Sequence, residues 1–154
     1  MTSPTPETPD TNSVDALQRA LKTEYATVYS YGLVSAYINE YFNSLVATSL
    51  HAHQDIRDHT IELLKSSHSV VPLPALGYRP SQSLATSDDA QQLALLLEKE
   101  SAIAWRVVVE QANTEEIRRF GVQTLTQVTL LASHWRQDLG LWPFTDTFPG
   151  SVST

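Results

Sequence analysis

The chain has 154 residues, 42% of them apolar, which is enough for one domain with one hydrophobic core. Ten basic residues against seventeen acidic ones give a net charge of -7, which argues against binding to nucleic acid. The absence of cysteine excludes disulfides, thiolate metal sites and thiol catalysis. No apolar run approaches the roughly 20 residues that a bilayer requires, and the N-terminus lacks a signal-peptide pattern. We therefore predict a cytoplasmic protein with no membrane partner.

Residues 1–12 contain three prolines and many Ser and Thr, and they are predicted to form a disordered tail. Asn12 or Ser13 is predicted to cap a first helix that extends to about Asn39. Alternating spacings of three and four residues define the inner face of this helix, at Val14, Leu17, Leu21, Glu24, Val28, Tyr31, Ser35 and Ile38. Glu24 is the acidic residue on this line. Because burying a lone carboxylate is costly, Glu24 must be paired, protonated or bound to a ligand.

A second helix is predicted from about Phe42 to residues 65–67, with an apolar face that includes His53. Residues 70–86 are rich in proline and show neither helix nor strand periodicity. This segment is long enough to cross the length of a bundle, where Leu73, Leu76 and Tyr78 are predicted to fasten it. The third helix begins at Thr86 or Ser87. The fourth begins at an Asn113 or Thr114 cap and ends before Gly140.

Two helical hairpins joined by one long crossover are typical of the ferritin-like arrangement. We therefore predict an all-α fold, a ferritin-like four-helix bundle with the crossover between helices two and three. The predicted organisation is a tail over residues 1–12, a bundle over 13–139 and an extended C-terminal strap over 140–154.

Ferritin-like di-iron sites take a Glu from each of two helices and a Glu-x-x-His unit from each of the other two. Advancing about 100° per residue, we expect Glu24 and Glu100 to point inward from helices one and three. By the same calculation Glu98 faces water. At about 1.5 Å per residue, Glu24 and Glu100 differ in height by only ~5 Å. These two carboxylates match half of a di-iron site.

The other half of that ligand set is missing from the sequence. Helix two has Ile56 where Glu is needed before His59, and the chain contains no Glu-x-x-His unit. Two carboxylates with one or two His can hold a single metal ion, but not a normal di-iron pair. The candidate metal ligands are therefore Glu24, Glu100, His59 and His53, with iron or manganese as the ion.

A buried polar network is the competing and favoured interpretation of the same residues. Arg57, Arg106 and Arg136 lie on flanks from which they could reach inward, and Tyr31, His53 and His59 could donate hydrogen bonds. In this interpretation no cofactor is bound. Without a cation, Glu24 and Glu100 would share a proton, and one of them could act as an acid or base.

Two further patterns concern partners and ancestry. Tyr29 and Tyr37 lie two turns apart on the outer side of helix one, which predicts a homodimer surface or, equally, packing of the tail or crossover. Glu24 is followed five residues later by Tyr29, and Glu100 by Trp105, a spacing that suits a duplicated helical hairpin.

Several stretches, in this order, resemble the actinobacterial ferritin-like domain of unknown function number 4439. They are residues 21–26 (LKTEYA), 29–32 (YSYG), His53 with Arg57 and Asp58, residues 104–106 (AWR), 134–136 (HWR) and 143–150 (PFTDTFPG). The resemblance covers about residues 14–150. It implies a ferritin-like bundle, often dimeric, with no established activity. Because a shared fold does not imply a shared reaction, the resemblance does not predict that this chain oxidises iron.

The leading prediction is a non-catalytic, dimeric bundle that acts through a protein partner or by binding a small ligand between its helices. The alternative is a metal-binding oxidoreductase that uses the reduced Glu and His ligand set.

Overall fold

The computed structural model describes residues 7–152, in which four α-helices and one short 3-10 turn are the regular elements. The helices are α1 (Thr11–Tyr37), α2 (Asn43–Ser66), α3 (Ser87–Gln111) and α4 (Glu115–Asp138), and the 3-10 turn (Glu40–Phe42) joins α1 to α2. This order confirms the predicted all-α four-helix bundle with its long connection between α2 and α3. None of the four helices in this part of the chain combines the length and the apolar content that a membrane span requires.

Helices α1 and α3 are antiparallel along their whole length. Hydrogen bonds at both ends of the pair show this. At one end Ser13 Oγ donates to the carbonyl of Gln111 at 2.9 Å. At the other end the backbone N–H of Asn39 donates to Ser87 Oγ, also at 2.9 Å. Helix α1 also packs against α2, and α3 against α4, whereas α2 and α4 make little contact. The α1–α3 pair is therefore the centre of the bundle.

The first helix begins two residues earlier than the predicted bundle boundary at residue 13. Its N-cap is Asp10, whose side chain accepts a hydrogen bond from the backbone of Ser13. Residues just before the helix are held by Asn113, which accepts from the Asp10 backbone and donates to the Thr8 carbonyl. The predicted cap at Asn12 or Ser13 was wrong because both residues lie within the first turn of the helix. Residues 1–6 of the predicted tail lie outside the described residues.

The caps of α3 and α4 match the predicted residues. Thr86 caps α3 and forms a capping box with Asp89, each side chain accepting a hydrogen bond from the other residue's backbone. Thr114 caps α4. Gly140 follows α4 with a φ of +66°, a conformation that suits glycine at a helix end.

The segment between α2 and α3 runs along the outer face of α1. Gln18 donates to the Val70 carbonyl at 2.8 Å, and the Tyr25 hydroxyl donates to the Pro72 carbonyl at 3.1 Å. Farther along, the rings of Tyr29 and Tyr78 are 5.5 Å apart. The crossover therefore spans the bundle as predicted, but two of its predicted fasteners, Leu73 and Leu76, are exposed. Polar groups of α1 hold the backbone carbonyls instead.

The hydrophobic core is divided into two clusters. The cluster at the N-terminal end of α1 includes Leu17, Leu21, Ile56, Trp105, Val108 and Val128. The cluster at the other end includes Tyr31, Val34, Val46, Leu93, Leu97 and Trp135. On α1, α2 and α3, one buried ionisable residue lies between the two clusters: Glu24, His53 and Glu98.

The C-terminal segment, residues 139–152 of the described chain, returns from the end of α4 to α3 and contains turns and bends. We call it the strap. Arg136 Nε donates to the Pro143 carbonyl at 2.6 Å, which holds the beginning of the strap on α4. Gly150 lies against the backbone of α3 at Ala102. The predicted strap also included residues 153–154, which lie outside the described residues.

Candidate functional site

The site is the polar layer between the two hydrophobic clusters. Glu24, His53 and Glu98 are each 0% exposed to solvent. His53 lies between the two glutamates: its Nδ1 is 2.7 Å from Glu24 Oε2 and its Nε2 is 3.0 Å from Glu98 Oε2. The imidazole thus joins two carboxylates that come from different helices. We call these three residues the Glu–His–Glu cluster.

The second oxygen of Glu24 is held by two donors from α3. Ser101 Oγ donates to Glu24 Oε1 at 2.7 Å, and Trp105 Nε1 donates to the same oxygen at 2.8 Å. Hydrogen bonds to a carboxylate favour its ionised form, and buried charges require such partners. Glu24 is therefore paired at both oxygens.

The second oxygen of Glu98 accepts a hydrogen bond from the Tyr31 hydroxyl. Trp135 Nε1 in turn donates to the Tyr31 oxygen at 3.1 Å, so the network extends to α4. All four helices therefore contribute to one hydrogen-bonded network in which both carboxylates are fully paired. Ser49 Oγ is also buried, but it has no hydrogen-bond partner in the described chain.

The geometry requires His53 to carry a positive charge when both carboxylates are ionised, since each ring nitrogen then needs a proton to donate. Burial by itself lowers the pKa of His53, but the charges of Glu24 and Glu98 and the hydrogen bonds to them raise it to about 10. Burial, followed by the neighbouring charge of Glu98, also raises the pKa of Tyr31 well above its usual value. The two glutamates therefore favour a protonated, positively charged His53 at neutral pH.

The predicted inward position of Glu100 was wrong, because the buried glutamate of α3 is Glu98. Glu100 is exposed on the opposite side of the helix, beside the strap. The buried line of α3 that faces α1 runs through Ala94, Glu98, Ser101, Trp105 and Val108 and does not include Glu100. Helix α3 contacts α1, α4 and the strap, so apolar residues occupy most of its circumference and do not define a single inner face.

The same drift occurs on α1, where Thr27 and Val34 are buried instead of the predicted Val28 and Ser35. The predicted line assumed a 3.5-residue period, and a straight helix drifts by about 20° per seven residues from that repeat. Glu24 lies near the middle of the helix, where this error is small, and its burial was predicted correctly.

The remaining predicted site residues lie in different parts of the structure. His53 is part of the cluster, whereas His59 is exposed and its ring packs 4.4 Å from the ring of Phe120. The three arginines considered as partners for the glutamates pair elsewhere: Arg57 with Asp58, Arg106 with Glu110 and Arg136 with Asp146. The cation that the buried glutamates need is His53.

A sequence signal for Glu98 was present at a spacing of seven residues. Glu24 is followed by Thr27 and Tyr31, and Glu98 is followed at the same spacings by Ser101 and Trp105. Each glutamate accepts a hydrogen bond from the aromatic residue of the other helix. The residues at a spacing of five are not structurally equivalent, because Tyr29 contacts the crossover and Glu100 lies outside the bundle. The duplicated helical hairpin stays a prediction.

The cluster does not fit a metal ion. Both ring nitrogens of His53 point to carboxylate oxygens, so neither offers a lone pair to a metal. Across residues 7–152, no group of three or more His, Asp or Glu side chains is arranged to hold a metal ion. The side chain that α4 contributes to the network is Trp135, whose indole N–H is a donor and cannot bind a metal ion.

The fold and the site together define an all-α four-helix bundle with a buried Glu–His–Glu cluster at its centre. The sequence profile of the family described as Domain of unknown function (DUF4439) matches residues 16–153, and the chain belongs to that family. This confirms the predicted resemblance and means that the family description assigns no activity.

Solved structures similar to this one include the following two. The conserved hypothetical protein rv2844 from Mycobacterium tuberculosis is 39% identical with a TM-score of 0.82, covering 90% of this chain and 97% of its own. Its origin agrees with the predicted actinobacterial family. A protein from Bacillus halodurans C-125, provisionally described as a spore coat protein, is 15% identical with a TM-score of 0.70, covering 88% and 92% of the two chains. That likeness shows the fold alone. No curated protein matches the sequence.

Proposed function

We propose that this protein is a non-catalytic, metal-free bundle that acts by binding other molecules at its surface, while its Glu–His–Glu cluster organises the interior. One observation carries the proposal: each carboxylate oxygen and each ring nitrogen of the cluster has a partner inside the protein. A catalytic group needs to reach a substrate, but these three residues are fully buried. Three surface cavities include none of them in their walls.

The connectivity and the position of the cluster support a ferritin-like origin for the bundle. In ferritin-like di-iron proteins two helices each supply a glutamate, as α1 and α3 do here with Glu24 and Glu98. The other two helices each supply Glu-x-x-His, which this chain lacks. His53 places a positive charge between the two glutamates, where a metal ion would otherwise balance them. We therefore propose a degenerate centre in which an imidazolium replaces the metal.

Elemental analysis tests this proposal directly. The protein is expressed in medium supplemented with iron and manganese, and purified without chelator. We expect far less than one equivalent of either metal per chain, and no difference between the wild type and Glu24→Gln. One equivalent of iron or manganese that disappears in Glu24→Gln, but not in the matched surface variant Glu62→Gln, would overturn the proposal.

A metal-dependent oxidoreductase is the second candidate. It is favoured by the convergence of Glu24, His53 and Glu98 from three helices between the same two clusters. This candidate requires His53 to turn away from at least one glutamate and give that nitrogen to iron or manganese. The elemental analysis therefore decides between the two candidates.

We also propose that the chain forms a homodimer, since Tyr37 is 46% and Tyr41 is 82% exposed at one end of α1, and aromatic residues are enriched at interfaces. Tyr29 is a weaker candidate than predicted because it packs on Tyr78 of the crossover. Light scattering should give the mass of two chains for the wild type and of one chain for Tyr37→Ser with Tyr41→Ser. A cytoplasmic location stays a prediction, which cell fractionation tests.

A further inference from the structure

A cavity of about 600 Å³ lies between α3, α4 and the strap, on the opposite side of α3 from the Glu–His–Glu cluster. Its walls combine apolar side chains with a few charged ones, and they include Leu96, Lys99, Glu100, Ile103, Arg136 and Phe144. This volume lies within the range of sites that bind small organic ligands.

The strap is held at both sides of the cavity. On α4, Arg136 Nε donates to the Pro143 carbonyl at 2.6 Å, and its Nη1 is 3.5 Å from Asp146 Oδ1. On α3, Gly150 lies so close to the helix that an added Cβ would overlap the Ala102 carbonyl oxygen and come within 2.8 Å of the Arg106 Cβ. Gly150 also has a φ of +72°, which favours glycine. The cavity is therefore a product of specific contacts at both ends of the strap.

The charged groups of the wall differ in how they are compensated. Arg136 is already bound to Asp146 and to the Pro143 carbonyl. Glu100 makes no hydrogen bond or ion pair through its side chain within residues 7–152, and partial burial at the cavity wall raises the pKa of its otherwise exposed carboxyl. Lys99 also lacks an ion pair there, but its long and flexible side chain can extend into water. Glu100 is thus a carboxylate at the cavity wall that has no partner among the described residues.

We propose that this cavity binds an organic ammonium compound with an apolar body, whose ammonium group pairs with Glu100 while its body packs against Leu96, Ile103 and Phe144. A partly desolvated carboxylate gains most from a charged donor, and charge-assisted hydrogen bonds are the strong ones. The net charge of -7 also attracts cations to the protein. The inference deepens the proposed binding function by naming the class of ligand, and so rests on it.

Titration calorimetry with octylamine tests the inference, with octanoate as the probe of equal tail length and opposite charge. We expect saturable binding of one octylamine per chain and none of octanoate. Glu100→Gln should weaken octylamine binding by about tenfold or more, because it removes the charged partner. Glu62→Gln, an exposed change of the same kind on α2, should leave binding unchanged and so exclude general attraction to an acidic protein. Lys99→Gln should bind octylamine at least as well as the wild type.

The contribution of the strap is tested separately with Gly150→Ala, which should weaken octylamine binding while the helical circular dichroism signal stays the same. Amide NMR shifts on addition of octylamine should cluster on α3, α4 and the strap. Three results would each overturn the inference: no saturable octylamine binding, equal binding by Glu100→Gln, or octanoate binding that Lys99→Gln abolishes. These outcomes leave the metal content of the cluster untouched, so a failure here is distinct from a failure of the metal-free bundle.

Discussion

Glu98 and Glu100 are two residues apart on the same helix and lie in opposite environments. Glu98 is fully buried, with one oxygen bound to Tyr31 and the other to His53. Glu100 is exposed at the strap cavity and its side chain has no partner in the described chain. Two residues turn a helix by about 200°, so one glutamate faces the bundle and the other faces away. The comparison teaches that a buried carboxylate requires a complete set of donors, whereas an exposed one remains available for a ligand.

The largest effect is expected when the positive charge of His53 is removed. In His53→Ala, two buried glutamates lose their shared partner, and breaking a buried ion pair costs about 3–5 kcal/mol of unfolding free energy. Urea unfolding followed by circular dichroism measures the change. His51→Ala, an exposed histidine on the same helix, is the control and should change stability by less than about 0.5 kcal/mol. Equal stability of the two variants would show that the cluster contributes nothing.

Raising the pH should also lower the unfolding free energy, because it removes the positive charge of His53 between Glu24 and Glu98. His53 has a pKa raised to about 10 in the folded chain, against about 6.5 in the unfolded chain. Its contribution is therefore complete below about pH 6.5 and is lost as the pH rises through 10. Between these values the unfolding free energy should fall by about 1 kcal/mol per pH unit from this group.

Nitrogen NMR of the His53 ring measures the loss of the His53 proton directly. Both ring nitrogens should remain protonated through pH 8, where an exposed imidazole is neutral. Loss of the ring proton below pH 8 would contradict the proposed imidazolium.

Matched amide variants sharpen the comparison between the two glutamates. Glu98→Gln removes the charge that faces His53 and should cost about 2 kcal/mol, typical of a hydrogen bond to a charged group. Glu100→Gln should change stability by less than about 0.5 kcal/mol, as expected for an exposed side chain. Chemical denaturation of both proteins under the same conditions gives the difference. A larger loss for Glu100→Gln would reverse the assignment of buried and exposed glutamates.

The smallest expected effect belongs to the strap. Gly150→Ala places a Cβ against α3 at a position of positive φ and should cost about 1 kcal/mol, because the strap moves while the helices stay packed. Gly77→Ala, where an added Cβ meets nothing within 4 Å, is the matched control and should change little. Thermal unfolding compares the two variants. A loss of several kcal/mol in Gly150→Ala would show that the strap is part of the core.

The sequence by itself determined the number and order of the helices, the long crossover and the burial of Glu24, and it narrowed the caps of α3 and α4 to two residues each. These features follow from local rules, since helix spacing, capping chemistry and proline content act over a few residues. The family resemblance also depended on short stretches of sequence. The missing Glu-x-x-His units were likewise visible without a structure.

Only the tertiary structure decided which glutamate of α3 joins Glu24, that His53 lies between them, and that the strap encloses a cavity beside Glu100. Helix α3 has apolar residues facing α1, α4 and the strap, so periodicity alone could not choose its inner face. The partner of a buried charge is chosen by the rotation and height of neighbouring helices, which depend on packing along the whole bundle. For that reason the sequence predicted a buried carboxylate, and the fold supplied its cation.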